Sequence, residues 1–122
     1  MKNRIDACFE KLKAENKKAL VTFITAGDPD MDTTEKCVLE MYKNGSDIIE
    51  IGVPFSDPIA EGATIQKASL RSLSGGTNLD KIFDLVRKLR TQTDKPMLLM
   101  MYINTIFKFA QQSSLSFARK LR

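Results

Sequence analysis

Two acidic residues occur where a catalytic pair would be useful: Glu50 lies within an apolar run, and Glu61 lies in the loop that follows it. The run at 48–53 has the composition of a strand buried on both faces. A carboxylate buried in such a strand is destabilising unless it is paired or hydrogen-bonded, so strands seldom carry one without a role. Two acids in different surroundings can have separated pKa values, which allows distinct acid and base roles.

The elements that position these acids follow from hydrophobic spacing. Strand alternation over 47–53 places Glu50 on the face opposite Ile49 and Ile51. Proline and glycine then break regular structure over 54–62. Similar patterns predict two more strands, at 19–25 and 97–102, and four helices, at 2–15, 32–43, 62–74 and 78–90.

Helix termini are also predicted from the residue types. Asp32 with Glu35, and Thr77 with Asp80, have the spacing of helix caps. The alternation of strands and helices predicts right-handed βαβ units in a parallel sheet of the α/β class. Periodicity by itself does not choose between an open sheet and a barrel.

Composition limits the function classes. The 122 residues suffice for one small domain, and the net charge of +4 comes without a dense basic cluster, which argues against nucleic-acid binding. The chain has no histidine, so a His-based triad or zinc site is excluded, and Cys8 and Cys37 are expected to be reduced thiols. We expect no membrane association and a cytoplasmic location, because no apolar run approaches the roughly 18 residues of a membrane span and the N-terminus lacks a signal-peptide core.

The stretch at 47–66, DIIEIGVPFSDPIAEGATIQ, resembles the signature of the tryptophan synthase alpha subunit family. Two positions depart from that signature: Glu61 stands where the family usually has Asp, and Ala63 stands where Pro is common. Family-like sequence also occurs at 24–30, 75–90 and 101–109. The matching signature positions are Glu50, Gly52, Pro54, Phe55, Ser56, Asp57, Pro58, Ala60, Gly62, Ile65 and Gln66.

The resemblance implies a partial (β/α)8 TIM barrel, with about three parallel strands and an extra N-terminal helix. Residues 1–109 are expected to form the N-terminal part of the barrel, and 110–122 an atypical basic tail without family pattern. Because such barrels usually need about 250 residues, the sequence predicts a truncated or frameshifted product.

The resemblance further implies retro-aldol cleavage of indole-3-glycerol phosphate to indole and glyceraldehyde 3-phosphate, without metal or organic cofactor. In that reaction Glu50 would be the general acid/base, and Glu61 would accept a hydrogen bond from the indole N–H. Phe23, Thr25 and Tyr102 correspond to positions in the substrate pocket. We expect little or no lyase activity from the chain alone, because barrel phosphate sites commonly lie after strands 7–8.

A protein partner is implied as well. Pro54, Asp57, Asn104 and Phe107 match the face by which family members bind the beta subunit, which carries pyridoxal phosphate, in an alpha2beta2 complex. A second hypothesis is therefore a non-catalytic fragment that keeps part of this docking surface. A third is another phosphate-binding (β/α)8 enzyme, which the stretch EIGVPFSDP at 50–58 disfavours.

Overall fold

A computed structural model of the chain describes residues 3–120, with side chains described for 3–111. Helices and strands alternate along most of the chain, as the hydrophobic spacing predicts. The elements are α1 (Arg4–Ala14), β1 (Val21–Thr25), α2 (Met31–Lys43), β2 (Ile48–Gly52), α3 (Ala63–Ser74), α4 (Leu79–Arg90), β3 (Met97–Met100) and α5 (Ile103–Lys120).

The three strands form one parallel sheet in the order β1-β2-β3, which confirms the predicted α/β class. In this register Phe23 is paired with Glu50, and Glu50 with Leu98. Paired residues of adjacent strands point to the same face, so these three side chains form one row across the sheet. The same register places Thr25 beside Gly52 at the carboxyl ends of the strands.

The hydrophobic core lies on the opposite face. Ile49 and Ile51 have no exposed surface, and they pack with buried side chains of α2 and α4 such as Val38, Ile82 and Leu89. Full burial of a side chain of this size contributes about 1.5–3 kcal/mol relative to exposure. The helices thus cover the Ile49 face of the sheet and leave the Glu50 face half-buried.

Both predicted helix caps were wrong by a short shift. Asp30, not Asp32, caps α2, because its extended backbone lets its carboxylate accept a hydrogen bond from the Thr33 N–H at 2.7 Å. Asn78, not Thr77, caps α4 by accepting from the Lys81 N–H. In each case the helix begins one residue after a side chain that reaches its free N–H groups.

Most predicted boundaries were one or two residues too wide, whereas α2 begins at Met31, one residue before its predicted start. The first helix starts at Arg4 and ends at Ala14, and residue 2 of its predicted span lies outside the described residues. A helix over Ile103–Lys120 was not predicted. The division of the chain at residue 109 stays a prediction, and residues 121–122, with the side chains of 112–120, lie outside what the structure describes.

Within the described part of the chain, no helix is both long and apolar enough to cross a membrane. No group of three or more potential metal ligands occurs among the same residues.

Candidate active site

The loop after β1 is held against α3. The Ser72 hydroxyl donates to the Ala26 carbonyl, and Arg71 donates two hydrogen bonds of 2.7 Å to the Asp28 carboxylate. This bidentate contact lowers the pKa of Asp28. Gly27 has a φ of +76°, a backbone conformation that L side chains rarely adopt. These contacts fix the chain directly after Thr25.

The end of β2 is shaped by a glycine. A Cβ added to Gly52 would lie 2.5 Å from Cζ of Phe23, so the Phe23 ring occupies the space that a side chain would fill. Phe23 and Thr25 are on the same face of β1, since they are two residues apart. At the carboxyl end of the sheet, the Phe23 ring therefore contacts the backbone of Gly52 directly.

The loop between β2 and α3 is held from the end of β3 by Tyr102. Its ring stacks on Phe55 with centroids 4.6 Å apart and an interplanar angle of 18°. Its hydroxyl oxygen accepts a hydrogen bond from the Ala60 N–H at 3.1 Å. Ala60 is the neighbour of Glu61, so Tyr102 fixes the backbone next to the second predicted acid.

These elements enclose a cavity of about 210 Å³ at the carboxyl ends of the strands. Its walls are mostly aromatic and aliphatic, and among the residues that the structure describes Glu61 is the only charged one that lines it. The lining residues are Phe23, Thr25, Gly52, Val53, Phe55, Pro58, Glu61, Ile65, Ser69, Met100, Met101 and Tyr102. A concave apolar site with few polar groups is the usual form of a small-molecule site.

The two predicted acids are placed differently. Glu61 lines the cavity and is half-buried, with its backbone held by the Pro58 carbonyl and by the Gln66 side chain. Glu50 does not line the cavity. It lies two residues before Gly52 on β2, on the same sheet face, and is also half-buried. Its side chain forms no hydrogen bond or ion pair with any residue that the structure describes, so no described cation holds its carboxylate at the surface.

All three predicted pocket residues, Phe23, Thr25 and Tyr102, line this cavity. The four residues predicted to contact a partner differ in exposure and in the cavities that they line. Pro54 is buried, and with Asn104 it lines a second cavity of about 340 Å³. Asp57 and Phe107 are exposed and line neither of these cavities.

The lining residues that were not predicted as site residues include Phe55 and Ser69. Phe55 belongs to the matched stretch but was not given a role. Ser69 is four residues after Ile65 and one after buried Ala68, and this helical spacing could have indicated an inward position.

A larger opening of about 580 Å³ lies at the other end of the sheet, between α1 and the chain before each strand. Its lining includes Lys11, Lys17, Asp47 and Asp94, several of them engaged in surface ion pairs. In parallel α/β sheets, ligands bind at the carboxyl ends of the strands, so we place the candidate site in the smaller cavity.

Comparison with known proteins identifies the family of the chain. A family model described as tryptophan synthase alpha chain matches residues 9–122. The tryptophan synthase alpha chain of Geotalea uraniireducens (strain Rf4) is 56% identical over 107 residues, which cover 88% of this chain and 40% of that protein.

Solved structures give the same result. Subunit alpha of tryptophan synthase from Legionella pneumophila superposes with a TM-score of 0.87 at 42% identity, covering 89% of this chain and 42% of that one. The tryptophan synthase complex from Pyrococcus furiosus matches with a TM-score of 0.70 at 40% identity, over 74% of this chain and 37% of that one. The predicted partial (β/α)8 barrel is confirmed, and the chain spans about two fifths of the length of the relatives it matches.

Proposed function

Because the chain belongs to the tryptophan synthase alpha chain family, we propose that it carries the ring-binding and proton-transfer part of a site that cleaves indole-3-glycerol phosphate. The products are indole and glyceraldehyde 3-phosphate, so the enzyme class is a carbon–carbon lyase. One observation carries the proposal: Phe23, Thr25, Tyr102 and Glu61 line a single cavity at the carboxyl ends of the strands.

The aromatic walls account for binding of the indole ring. Phe23 and the stacked pair Phe55–Tyr102 offer flat apolar surfaces, which suit a bicyclic aromatic ligand. Glu61 is the only charged group among the lining residues, and its carboxylate accepts a hydrogen bond from the indole N–H. This contact strengthens as positive charge develops on the nitrogen in the transition state.

Glu50 is proposed as the general acid/base. The reaction breaks the bond between indole C3 and the first carbon of the glycerol chain. It requires removal of the hydroxyl proton on that glycerol carbon, which becomes the aldehyde, and delivery of a proton to indole C3. Glu50 is on the sheet face that carries Phe23, and its side chain forms no ion pair with any described residue. General acid–base catalysis of this kind contributes about 10²–10⁴-fold in rate.

Phosphate binding is the part that this cavity does not provide. No lysine or arginine of the described part of the chain lines it, and the carboxylate of Glu61 repels an anion. Binding energy from a remote phosphate helps to orient the reacting carbon, so we propose that the chain by itself turns over slowly. We further propose that the chain uses no metal or organic cofactor and acts in the cytoplasm.

A tryptophan synthase beta subunit, the carrier of pyridoxal phosphate, is the proposed partner in an alpha2beta2 assembly. One related structure is of a tryptophan synthase complex. Exposed Asp57 and Ile59 lie in the loop that follows β2, and exposed Asn104 and Phe107 lie in the first turns of α5, which follows β3. This exposed group supports the second candidate function, a non-catalytic chain that binds the beta subunit without turnover.

The proposal is tested by indole release from indole-3-glycerol phosphate, measured with the chain co-folded with the remaining part of a related alpha chain. Glu50→Gln and Glu61→Gln are expected to reduce the rate by about 10²-fold or more. Glu40→Gln, at an exposed acid of α2 paired only on the surface, is the matched control and should leave the rate unchanged. Equal rates in all three variants would contradict the assignment, as would no release from the parent when the full-length relative is active.

A further inference from the structure

Two buried hydroxyl groups in the cavity lack a protein partner. Thr25 is 6% exposed and Ser69 is 5% exposed, and both line the cavity. Neither side chain forms a hydrogen bond with any described residue, whereas the similarly buried hydroxyls of Thr34 and Ser72 do. A serine within a helix commonly bonds back to a carbonyl of the preceding turn, and Ser69 does not.

The oxygens of both hydroxyls must therefore reach the cavity surface. No fully buried side-chain oxygen or nitrogen lacks a hydrogen bond among the described residues. Since the Thr25 and Ser69 hydroxyls make none, their oxygens cannot be fully buried, although the residues themselves almost are. The free protein thus presents two hydroxyls without a partner into a mostly apolar cavity, an arrangement that favours a polar ligand group over an empty cavity.

The two residues belong to the same wall. Helix α3 packs on β1, and Ser72, one turn after Ser69, donates its hydroxyl hydrogen bond to Ala26, the residue after Thr25. The Thr25 and Ser69 hydroxyls, here called the hydroxyl pair, line the same cavity as the stacked rings of Phe55 and Tyr102.

The chemistry of the pair selects a neutral hydroxyl group. Each member both donates and accepts, which matches a ligand hydroxyl that does the same. An anionic group is disfavoured, because Glu61 is the only charged lining residue. A ring N–H is better satisfied by the Glu61 carboxylate, since hydrogen bonds to charged acceptors are about twice as strong as neutral ones.

We propose that Thr25 and Ser69 are substrate-contacting residues that bind a hydroxyl on the side chain of an aromatic ligand, and so distinguish hydroxylated side chains from plain alkyl ones. This inference rests on the proposed function, because the ring of the same ligand occupies the aromatic part of the cavity. It adds a role for Ser69 and gives Thr25 a particular ligand group.

The test compares two ligands of the same shape, indole-3-ethanol and 3-propylindole, by calorimetric titration of the 122-residue chain. We expect the hydroxylated ligand to bind about fivefold more tightly, which is the value of one neutral hydrogen bond. Ser69→Ala and Thr25→Val should each bring that ratio close to one, because each removes a hydroxyl that binds only indole-3-ethanol.

A stability measurement separates ligand contact from a structural role. Ser69→Ala removes an unpaired hydroxyl and raises helix propensity, so its Tm should be unchanged or higher. The matched control is Ser72→Ala, which loses a buried hydrogen bond to Ala26 and should lower the Tm while keeping the fivefold ligand ratio.

Each outcome is decisive. A ratio near one in the parent, with both ligands bound, would overturn the inference and leave the proposed ring site standing. A parent ratio that survives both Ser69→Ala and Thr25→Val would also overturn it. Failure of the parent to bind either ligand would overturn the proposed ring-binding site together with the inference.

Discussion

The ring of Phe23 lies directly over Gly52 on the neighbouring strand, with Cζ 2.5 Å from the position that a Cβ would take. Gly52 is a signature residue of the matched stretch, and this contact gives a physical reason for glycine there. The ring can approach the end of β2 this closely only because the backbone there carries no side chain. One wall of the cavity is thereby set by a pair of residues on two strands.

Gly52→Ala is therefore expected to displace the Phe23 ring and destabilise the chain by about 1–3 kcal/mol, the usual effect of overpacking. Equilibrium denaturation measures the free energy of unfolding, and indole titration measures the loss of ring binding. Gly62→Ser is the matched control, because a Cβ at Gly62 meets nothing within 4 Å and serine is a good N-cap residue. Unchanged stability and indole affinity in Gly52→Ala would contradict this account.

Tyr102→Phe is expected to loosen the loop that carries Glu61 while keeping the aromatic stack on Phe55. The variant loses the hydroxyl that accepts from the Ala60 N–H, a bond of 3.1 Å. Loss of one such hydrogen bond has an effect of about 0.5–1.5 kcal/mol, so amide exchange at Ala60 should accelerate by roughly threefold to tenfold. Exchange at Val53, whose N–H bonds to the Met100 carbonyl, serves as the internal control. An unchanged Ala60 exchange rate would show that Tyr102 does not hold the loop.

The ion pair between Arg71 and Asp28 predicts a loss of stability at low pH. Arg71 lowers the pKa of Asp28 in the folded chain below its ordinary value. Stability from this pair is therefore fully present above the unfolded pKa of about 3.9 and is lost as the pH falls through the lower folded value. Arg71→Met should flatten the acid limb of a stability–pH curve measured by urea denaturation.

Arg87→Met provides the comparison for that curve. Arg87 pairs with Asp84 across one turn of α4, and both side chains are more than 70% exposed. Exposed pairs of this kind contribute little, so the acid limb should stay as in the parent. If both variants changed the acid limb equally, the change would come from the loss of a positive charge and not from the Arg71–Asp28 contact.

An alkaline transition is predicted from Tyr42. Its buried hydroxyl donates to the Pro96 carbonyl, and burial raises the pKa of Tyr42 to about 12. Because the folded value is raised, this contribution is fully present below the unfolded pKa of about 10 and is lost as the pH rises through the folded value. Tyr42→Phe should lower stability at neutral pH by about 1–3 kcal/mol and remove this alkaline step in a denaturation series. The same alkaline step in the variant would assign it to another group.

The parallel sheet and its helices were predictable because apolar periodicity is strong in 48–53 and in Leu79–Arg90. The caps were misplaced because Asp30 and Asp32 are equally suitable by type, and only backbone geometry selects between them. The helix after β3 was missed because its apolar residues, such as Ile103 and Phe107, are largely exposed and match no buried face.

The sequence predicted several residues of the candidate site, but it did not predict the contacts between them. Motif resemblance named Glu61, Phe23, Thr25 and Tyr102, which all line the cavity. It gave no indication that the Tyr102 hydroxyl binds Ala60, or that Ser69 faces the same space, because both depend on how α3 and the loop after β3 pack. Glu50 lies two residues before the cavity-lining Gly52, and the strand pattern does not specify how far along β2 the cavity begins.

The central claim is that an aromatic ligand occupies the cavity at the carboxyl ends of β1, β2 and β3. Isotope-filtered NOE spectra of indole bound to the labelled chain test this claim most directly. We predict NOEs from indole protons to the Phe23 and Phe55 rings and to the Thr25 methyl group, all of which line that cavity. NOEs to Ala7, Leu12 or Pro96, at the opening near the amino ends of the strands, would contradict it.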